Sequence, residues 1–309
     1  APPGGGDRGP RPIDLHLEGL RRLGGGGQDS QGRLVCTAPQ GLRGSRVTLA
    51  FPSVGATENI LLAACTAKGE TVITNAAQEP EIVDLAGFLN AMGGKITGAG
   101  KSTVRVEGVK KLHPAHWRVM PDRIAAATWL AMVCASRGRI CLKEFPTHLL
   151  QGVYPVLEEM GAKLRLEERQ VSLVQEGRLR RVKQLRTMPY PGFPTDAQSV
   201  FLAALTTARG TSLIVENIFT DRFRPVGELL RRGADGRVEG RAALVHGVKQ
   251  LYAAPVEATD LRGGAALVTA GLMAKGTTVI HGIPHIDRGY EHLEDTLTEL
   301  GASVRRIRQ

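Results

Sequence analysis

Followed as a pattern of apolar and polar positions, the chain repeats itself. Four runs, NILLAACTAKGETVI, TWLAMVCASRGRIC, VFLAALTTARGTSLI and ALVTAGLMAKGTTVI, each join an apolar stretch of helical length to a Lys or Arg, a Gly and a short strand-like run. An apolar helix stopped by Gly and followed by a strand is predicted at each place. Glycine tolerates the left-handed conformation that ends helices, and the cation before it complements the negative end of the dipole. The stop glycines, Gly69, Gly138, Gly210 and Gly276, stand 69, 72 and 66 residues apart. Behind each strand, FLNAMGGKI, VLEEMGAKL, ELLRRGADG or DTLTELGASV ends an amphipathic run that predicts a second helix. Two strands are expected next, closing on VEGVKKL or VHGVKQL. The unit is helix, strand, helix and strand pair, and GLRRLGGGG resembles the tail of a fifth copy whose beginning is missing.

With 309 residues, 42% hydrophobic and 23% charged, two domains are expected, residues 1–120 and residues 121–309. The second holds three full repeats and should fold alone, whereas the first lacks repeat material and should expose sheet edges. Cys36, Cys65, Cys134 and Cys141 form no CxxC pair and read as reduced core residues of a cytoplasmic protein. No apolar run has the length of a membrane span, and no signal peptide is evident, so no membrane partner is expected. A net charge of +10 favours anionic partners. Nucleic acid is not expected, because aromatic residues make up only 4% and the cations are scattered singly. The eight histidines show no metal-ligand spacing, so no metal is expected, and no other cofactor. PPGGGDRGP and LGGGG fit no phosphate-binding fingerprint and read as mobile loops.

A scaffold of identical repeats would carry interchangeable residues at matching slots, and these slots differ. At the start of each first helix stand PSVGATEN, MPDRIA, FPTDAQ and ATDLRG. Helix N-termini offer unpaired N–H groups and a positive dipole end, so they suit phosphates and carboxylates. Thr195 and Gln198 read as a capping box, and Asp196 beside it as either a dipole-compensating charge or a carboxylate able to take a proton from a hydroxyl. Twelve residues after each stop glycine, where the second helix should begin, stand Glu81, Leu150, Arg222 and Arg288. Two arginines at equivalent places can grip phosphate or carboxylate in bidentate fashion, and Arg262 beside Asp260 strengthens that reading.

From RPIDLH through PSVGATEN, EPEIVD, PDRI, FPTDAQ and ATDLR to HIDRGYE, the chain resembles the enolpyruvyl transferases that act on UDP-N-acetylglucosamine, relatives of EPSP synthase. The resemblance implies an α/β fold: a two-domain inside-out α/β barrel of repeated βαβαββ-type units, three to a domain, with the N-terminal domain incomplete here. It implies transfer of the enolpyruvyl group from phosphoenolpyruvate to the 3-hydroxyl of UDP-N-acetylglucosamine with release of phosphate, the first committed step of peptidoglycan synthesis. By this likeness Arg11, Pro12, Ile13, Asp14 and Leu15 line the uridine pocket, while Pro52, Ser53 and Val54 touch the diphosphate side. Ile218 supplies a backbone contact, Asp196 is the base, Arg262 and Arg288 grip phosphoenolpyruvate, Arg222 is a further arginine of the site, and Asp260 accompanies Arg262.

The chain departs from the family in three places. Gly6 stands where the family has the Cys or Asp acid of its PGG loop, which leaves Asp7 as the candidate proton donor. Ala125 stands where the family usually has Glu. The family's first stretch, with a Lys-Asn pair and an Arg, is absent, so weak or no turnover is expected if the chain is complete as given. The alternatives are a fragment that only binds ligand or a protein partner, and a 3-phosphoshikimate 1-carboxyvinyltransferase.

Overall fold

A computed structural model describes the backbone of residues 13–30 and 33–307 and the side chains of residues 13–27 and 34–307. The described residues fall into two compact units that part between Met120 and Pro121, with Pro189–Pro191 belonging to the first.

The first unit runs α1 (Asp14–Arg22), β1 (Gly26–Ser30), β2 (Arg33–Thr37), β3 (Arg46–Thr48), α2 (Val54–Ala64), β4 (Glu70–Thr74), α3 (Pro80–Ala91), β5 (Lys95–Thr97) and β6 (Thr103–Glu107). A four-stranded sheet in the order β3-β4-β6-β5 carries the repeat, and β1 pairs with β2 as an antiparallel hairpin. α1 and that hairpin take the places of a second helix and its strand pair, as the GLRRLGGGG phrase implied. LGGGG is not simply a loop, however, since Gly26 and Gly27 already pair with Thr37 and Cys36. Ile60, Leu61, Ile73, Ile82, Val104 and Val106 are fully buried in this unit's core.

The second unit runs α4 (Arg123–Ala135), β7 (Arg139–Lys143), a 3₁₀ turn (Thr147–Leu150), α5 (Tyr154–Met160), β8 (Lys163–Glu167), β9 (Gln170–Val174), β10 (Gln184–Arg186), α6 (Thr195–Leu205), β11 (Thr211–Val215), α7 (Pro225–Leu230), β12 (Asp235–Glu239) and β13 (Ala242–His246). It continues with β14 (Leu251–Tyr252), β15 (Pro255–Glu257), α8 (Leu261–Met273), β16 (Ala274–Lys275), β17 (Val279–His281), α9 (Ile283–Asp287) and α10 (Leu293–Glu299). α4, α6 and α8 pack against one another, and every residue of α6 from Ala197 to Leu205 is buried. A helix that is apolar all round belongs inside, whereas strands such as β13 alternate buried and half-buried positions, as a sheet with one wet face should. Helices inside and sheets outside are the inside-out arrangement. Short strands precede α2, α6 and α8 and pair in parallel with a strand beyond each helix, β3 with β4, β10 with β11 and β15 with β17. In the last repeat the second helix is split into α9 and α10.

The cysteine expectation needs correction. Cys65 and Cys134 are buried, but Cys36 and Cys141 are exposed, although all four are free thiols. Cys36 on β2 and Cys141 on β7 lie in strands, where alternate side chains face outward.

The closing phrases VEGVK and VHGVK owe their glycines to the stop glycines. Gly108 N–H donates to Gly69 O at 3.0 Å, and Gly247 N–H donates to Gly210 O at 2.9 Å. A Cβ at Gly108 or Gly247 would lie 1.6 Å from the carbonyl oxygen of Ala67 or Ala208. Backbone oxygen cannot step aside as a side chain can, so Gly247→Ala is expected to lower the unfolding free energy by about 1–3 kcal/mol. At Gly227, inside α7 and with nothing within 4 Å of the added carbon, the same change is expected to raise it by about 0.5–1 kcal/mol. Urea unfolding of the two variants checks the opposite signs.

A second tie holds the end of the chain. Arg306 donates to both oxygens of Asp287 at 2.9 and 2.7 Å and to Glu294 Oε2 at 2.9 Å. The Arg306 hydrogen bonds hold the Asp287 and Glu294 carboxyls below their ordinary range. Carboxyls with depressed folded-state values stabilise above their unfolded values, near pH 4, and lose that contribution as pH falls. The groups are partly exposed, so Arg306→Ala is expected to lower stability by no more than about 1 kcal/mol at neutral pH. The gap between variant and parent should close toward about pH 2; an equal gap in urea titrations at both pH values would rule out this linkage.

Candidate functional site

In the second unit, Asp196 is the second residue of α6. Its Oδ1 accepts from Arg222 Nη2 and its Oδ2 from Arg262 Nη2 at 3.1 Å. The carboxylate therefore sits between two guanidiniums from different elements. Arg222 lies in the segment between β11 and α7, with its Cζ 4.9 Å from the centre of the Phe219 ring. Arg262 belongs to the first turn of α8, which Asp260 caps: Asp260 Oδ1 accepts from the N–H groups of Arg262 at 2.9 Å and Gly263 at 3.1 Å. The Arg222 side chain is 6% exposed and that of Arg262 13%, so both charges have left most of their water behind. Arg222 Nε and Nη1 and Arg262 Nε are buried and have no hydrogen-bond partner among the described residues. Burial opposes the Arg262 charge, but Asp196 and the Tyr290 hydroxyl outweigh it, and its guanidinium holds its proton more firmly than an ordinary arginine does. Buried donors are nearly always paired; two guanidiniums with spare N–H groups make a receptor for an anion with several oxygens.

Three residues given no role by the sequence hold this group together. Tyr290 Oη accepts from Arg262 Nη1 at 3.3 Å and lies 2.9 Å from Thr128 Oγ1. Thr128 itself donates to Ile124 O at 2.9 Å, so α4, α8 and the turn after α9 meet at one hydroxyl. Glu216, fully buried just after β11, accepts from Thr187 Oγ1 and Thr195 Oγ1, both at 2.9 Å, and from the N–H groups of Ile218 at 2.8 Å and Phe219 at 3.1 Å. One signal could have found it. A single carboxylate at the end of the apolar run SLIVEN is costly to bury unless several donors meet it.

Three expectations are corrected in detail, and a fourth, the backbone contact of Ile218, is narrowed to one group. The capping box of Thr195 and Gln198 does not form: the Thr195 hydroxyl goes to Glu216, and Gln198 Oε1 accepts from Ser199 Oγ at 3.2 Å. Arg222 does not begin the second helix, because Pro225 sets the first turn of α7. Arg288 is exposed at the C-terminal cap of α9, since Pro284 places that helix's start well before it. Ile218 spends its N–H on Glu216, so its carbonyl is the backbone group left for a ligand.

In the first unit, the structure brings the described part of RPIDLH, residues 13–16, and PSVGATEN side by side. His16 Nδ1 lies 2.7 Å from Asn59 Nδ2, and a Cβ at Gly19 would overlap Ile60 at 2.4 Å, so α1 and α2 pack closely. Ile13 precedes α1, Asp14 is exposed in its first turn, and Leu15 packs partly buried against the core. Ser53 caps α2, its Oγ accepting from Ala56 N at 3.3 Å, with Pro52 and Val54 half-buried on either side. Burial, then Glu81 and Glu79, push the Glu58 carboxyl above its ordinary range. Gly6, Asp7, Arg11 and Pro12 lie outside the described residues. Among the described residues no cluster of three or more His, Cys, Asp or Glu could hold a metal ion, and no helix is long and apolar enough to cross a membrane.

The sequence profile described as EPSP synthase (3-phosphoshikimate 1-carboxyvinyltransferase) matches residues 3–297. UDP-N-acetylglucosamine 1-carboxyvinyltransferase 2 of Caldanaerobacter subterraneus subsp. tengcongensis is 49% identical over 305 residues, covering 99% of this chain and 73% of that protein. UDP-N-acetylglucosamine 1-carboxyvinyltransferase 1 of Symbiobacterium thermophilum is 48% identical over 305 residues, covering 99% and 69%. Among solved structures, the enolpyruvyl transferase NikO from Streptomyces tendae superposes with a TM-score of 0.85 at 25% identity, over 96% of this chain and 72% of that one. An EPSP synthase from Acinetobacter baumannii reaches 0.69 at 21% identity, over 94% and 71%, which speaks to the fold alone.

Proposed function

Because the chain belongs to the EPSP synthase family, we propose that it transfers the enolpyruvyl group of phosphoenolpyruvate to the 3-hydroxyl of UDP-N-acetylglucosamine and releases phosphate. The observation that carries the reading is the pair of buried guanidiniums, Arg222 and Arg262, gathered on Asp196 with three nitrogens unpartnered among the described residues. Phosphoenolpyruvate brings a carboxylate and a phosphate, the oxygens such a pair lacks. The hydroxyl gives up its proton and adds to the central carbon while the methylene carbon takes a proton. The tetrahedral adduct then expels phosphate as the new methyl group gives up a proton, which restores the carbon–carbon double bond of the enolpyruvyl ether. An anion on the arginines competes with Asp196 for them, and an oxygen so freed is available to take the hydroxyl proton. The guanidiniums also offset charge that builds on the phosphate as it leaves.

In this reading residues 121–309 form the domain that carries Asp196, Arg222, Asp260, Arg262 and Arg288, and residues 1–120 a partial domain for the nucleotide sugar. Arg11, Pro12, Ile13, Asp14 and Leu15 serve the uridine, Pro52, Ser53 and Val54 the diphosphate, and Ile218 the sugar through its carbonyl. Asp7 is the candidate proton donor, since Gly6 has no side chain to supply one. A cytoplasmic place and a role at the start of peptidoglycan synthesis follow from these substrates. Relatives that share nearly half the sequence bear the name of the nucleotide-sugar enzyme, which favours that acceptor over 3-phosphoshikimate.

The test is calorimetric titration with UDP-N-acetylglucosamine, then addition of phosphoenolpyruvate with an assay for phosphate. Binding with release supports the reading. Release with 3-phosphoshikimate but not with the nucleotide sugar overturns the acceptor, and binding without release leaves a protein that only holds the ligand.

A further inference from the structure

We propose that Glu216 is the positioning residue that sets Asp196 against Arg222. The inference rests on the proposed function for its meaning in turnover, though not for its geometry. Glu216 is completely buried and, among the described residues, accepts four hydrogen bonds, all from neutral donors. A buried carboxylate without a cation is expensive unless its lone pairs are filled, and here the donors come from three separate segments. Oε2 takes the hydroxyl of Thr195, which opens α6 immediately before Asp196. Oε1 takes the N–H groups of Ile218 and Phe219 and the hydroxyl of Thr187. The backbone turn tied to Oε1 presents the Phe219 ring to the Arg222 guanidinium. One oxygen thus holds the base's helix and the other holds the segment leading to its arginine partner. Thr187 secures the turn a second time, because its Oγ1 also accepts from Asn217 N at 2.9 Å and its carbonyl accepts from Asn217 Nδ2 at 3.0 Å. Glu216 touches neither substrate in this account. It acts by fixing how far Asp196 stands from Arg222, and with that how readily an anion on the arginine frees the carboxylate.

Thr195→Val separates positioning from folding, because it keeps the side chain's shape and removes only the hydroxyl that links α6 to Glu216. A displacement of about 1 Å at reacting groups is worth up to roughly 10²-fold in rate. The expected result is a kcat lowered about 10- to 100-fold, with KM for both substrates within about threefold of the parent. Thr195→Ser returns the hydroxyl and should restore kcat. Assays are run at a temperature where circular dichroism shows both variants folded. A kcat within about threefold of the parent for Thr195→Val, or an equal loss in Thr195→Ser, overturns the inference. If the parent itself releases no phosphate, the proposed function fails on its own. Crystal structures of parent and Thr195→Val then decide the geometry: Asp196 drawn away from Arg222 in the variant supports the positioning role, and an unmoved carboxylate overturns it.

Discussion

Asp196→Asn is expected to lower kcat by about 10²- to 10⁴-fold, the range that a positioned base contributes. The amide keeps the carboxylate's shape but cannot take a proton, and it turns an N–H₂ group toward one of the two guanidiniums that now grip Asp196. Two readouts should therefore move together. Phosphate release falls, and the variant unfolds at lower urea, because a buried guanidinium faces a donor. Binding of the nucleotide sugar should persist, since its other proposed contacts are untouched. A variant that keeps kcat within about tenfold of the parent would remove Asp196 from the role of base, because even a weakly placed base supplies about 10²-fold.

The second large effect is expected at Arg222. Replacement by Met keeps much of the stem's volume but deletes a guanidinium that is almost wholly buried and that stacks on Phe219. Loss of one preorganised electrostatic contact typically costs about 10²–10³ in rate. Arg222→Met should show that loss in kcat/KM for phosphoenolpyruvate, with affinity for the nucleotide sugar little changed. Arg222→Lys should recover only part of it, because an ammonium cannot present a planar fork to two oxygens. Full activity in the lysine variant would show that charge alone suffices there, and an unchanged kcat/KM in the methionine variant would place the anion elsewhere. The exposed Arg288 is a useful contrast. If Arg288→Met loses more than Arg222→Met, the buried pair is not the principal anion grip.

Much of the architecture was legible because its causes are local. Stop glycines follow a cation, apolar runs have helical length, and the closing VEGVK and VHGVK phrases recur, so the repeat could be read without coordinates. The short strands β3, β10 and β15 were not legible. Three residues such as Gln184–Arg186 carry no periodicity of their own, and only pairing with the strand beyond the helix makes them strands. Cys36 and Cys141 were misread for a related reason. A β-strand exposes every second side chain, and which face meets water is decided by what packs against the sheet.

For the site, the residues that the family resemblance named were present in order, but their partners were not visible. Asp196, Arg222 and Arg262 are separated by 26 and 40 positions along the chain, and no spacing rule says that two arginines will share one carboxylate. Thr195 looked like a cap because its sequence neighbour Gln198 suited one, whereas Glu216, distant in sequence and fully buried, takes the same hydroxyl. Arg222 and Arg288 share an offset from their stop glycines, yet Arg222 is buried and Arg288 exposed. By itself the sequence determined the repeat, the apolar helices that must lie inside and the chemical types available for catalysis, since propensity, periodicity and side-chain chemistry act over a few residues. Only the tertiary structure decided which carboxylate meets which guanidinium and which hydroxyl is spent on a buried acid, because desolvation and hydrogen-bond competition depend on groups that the chain brings together from far apart.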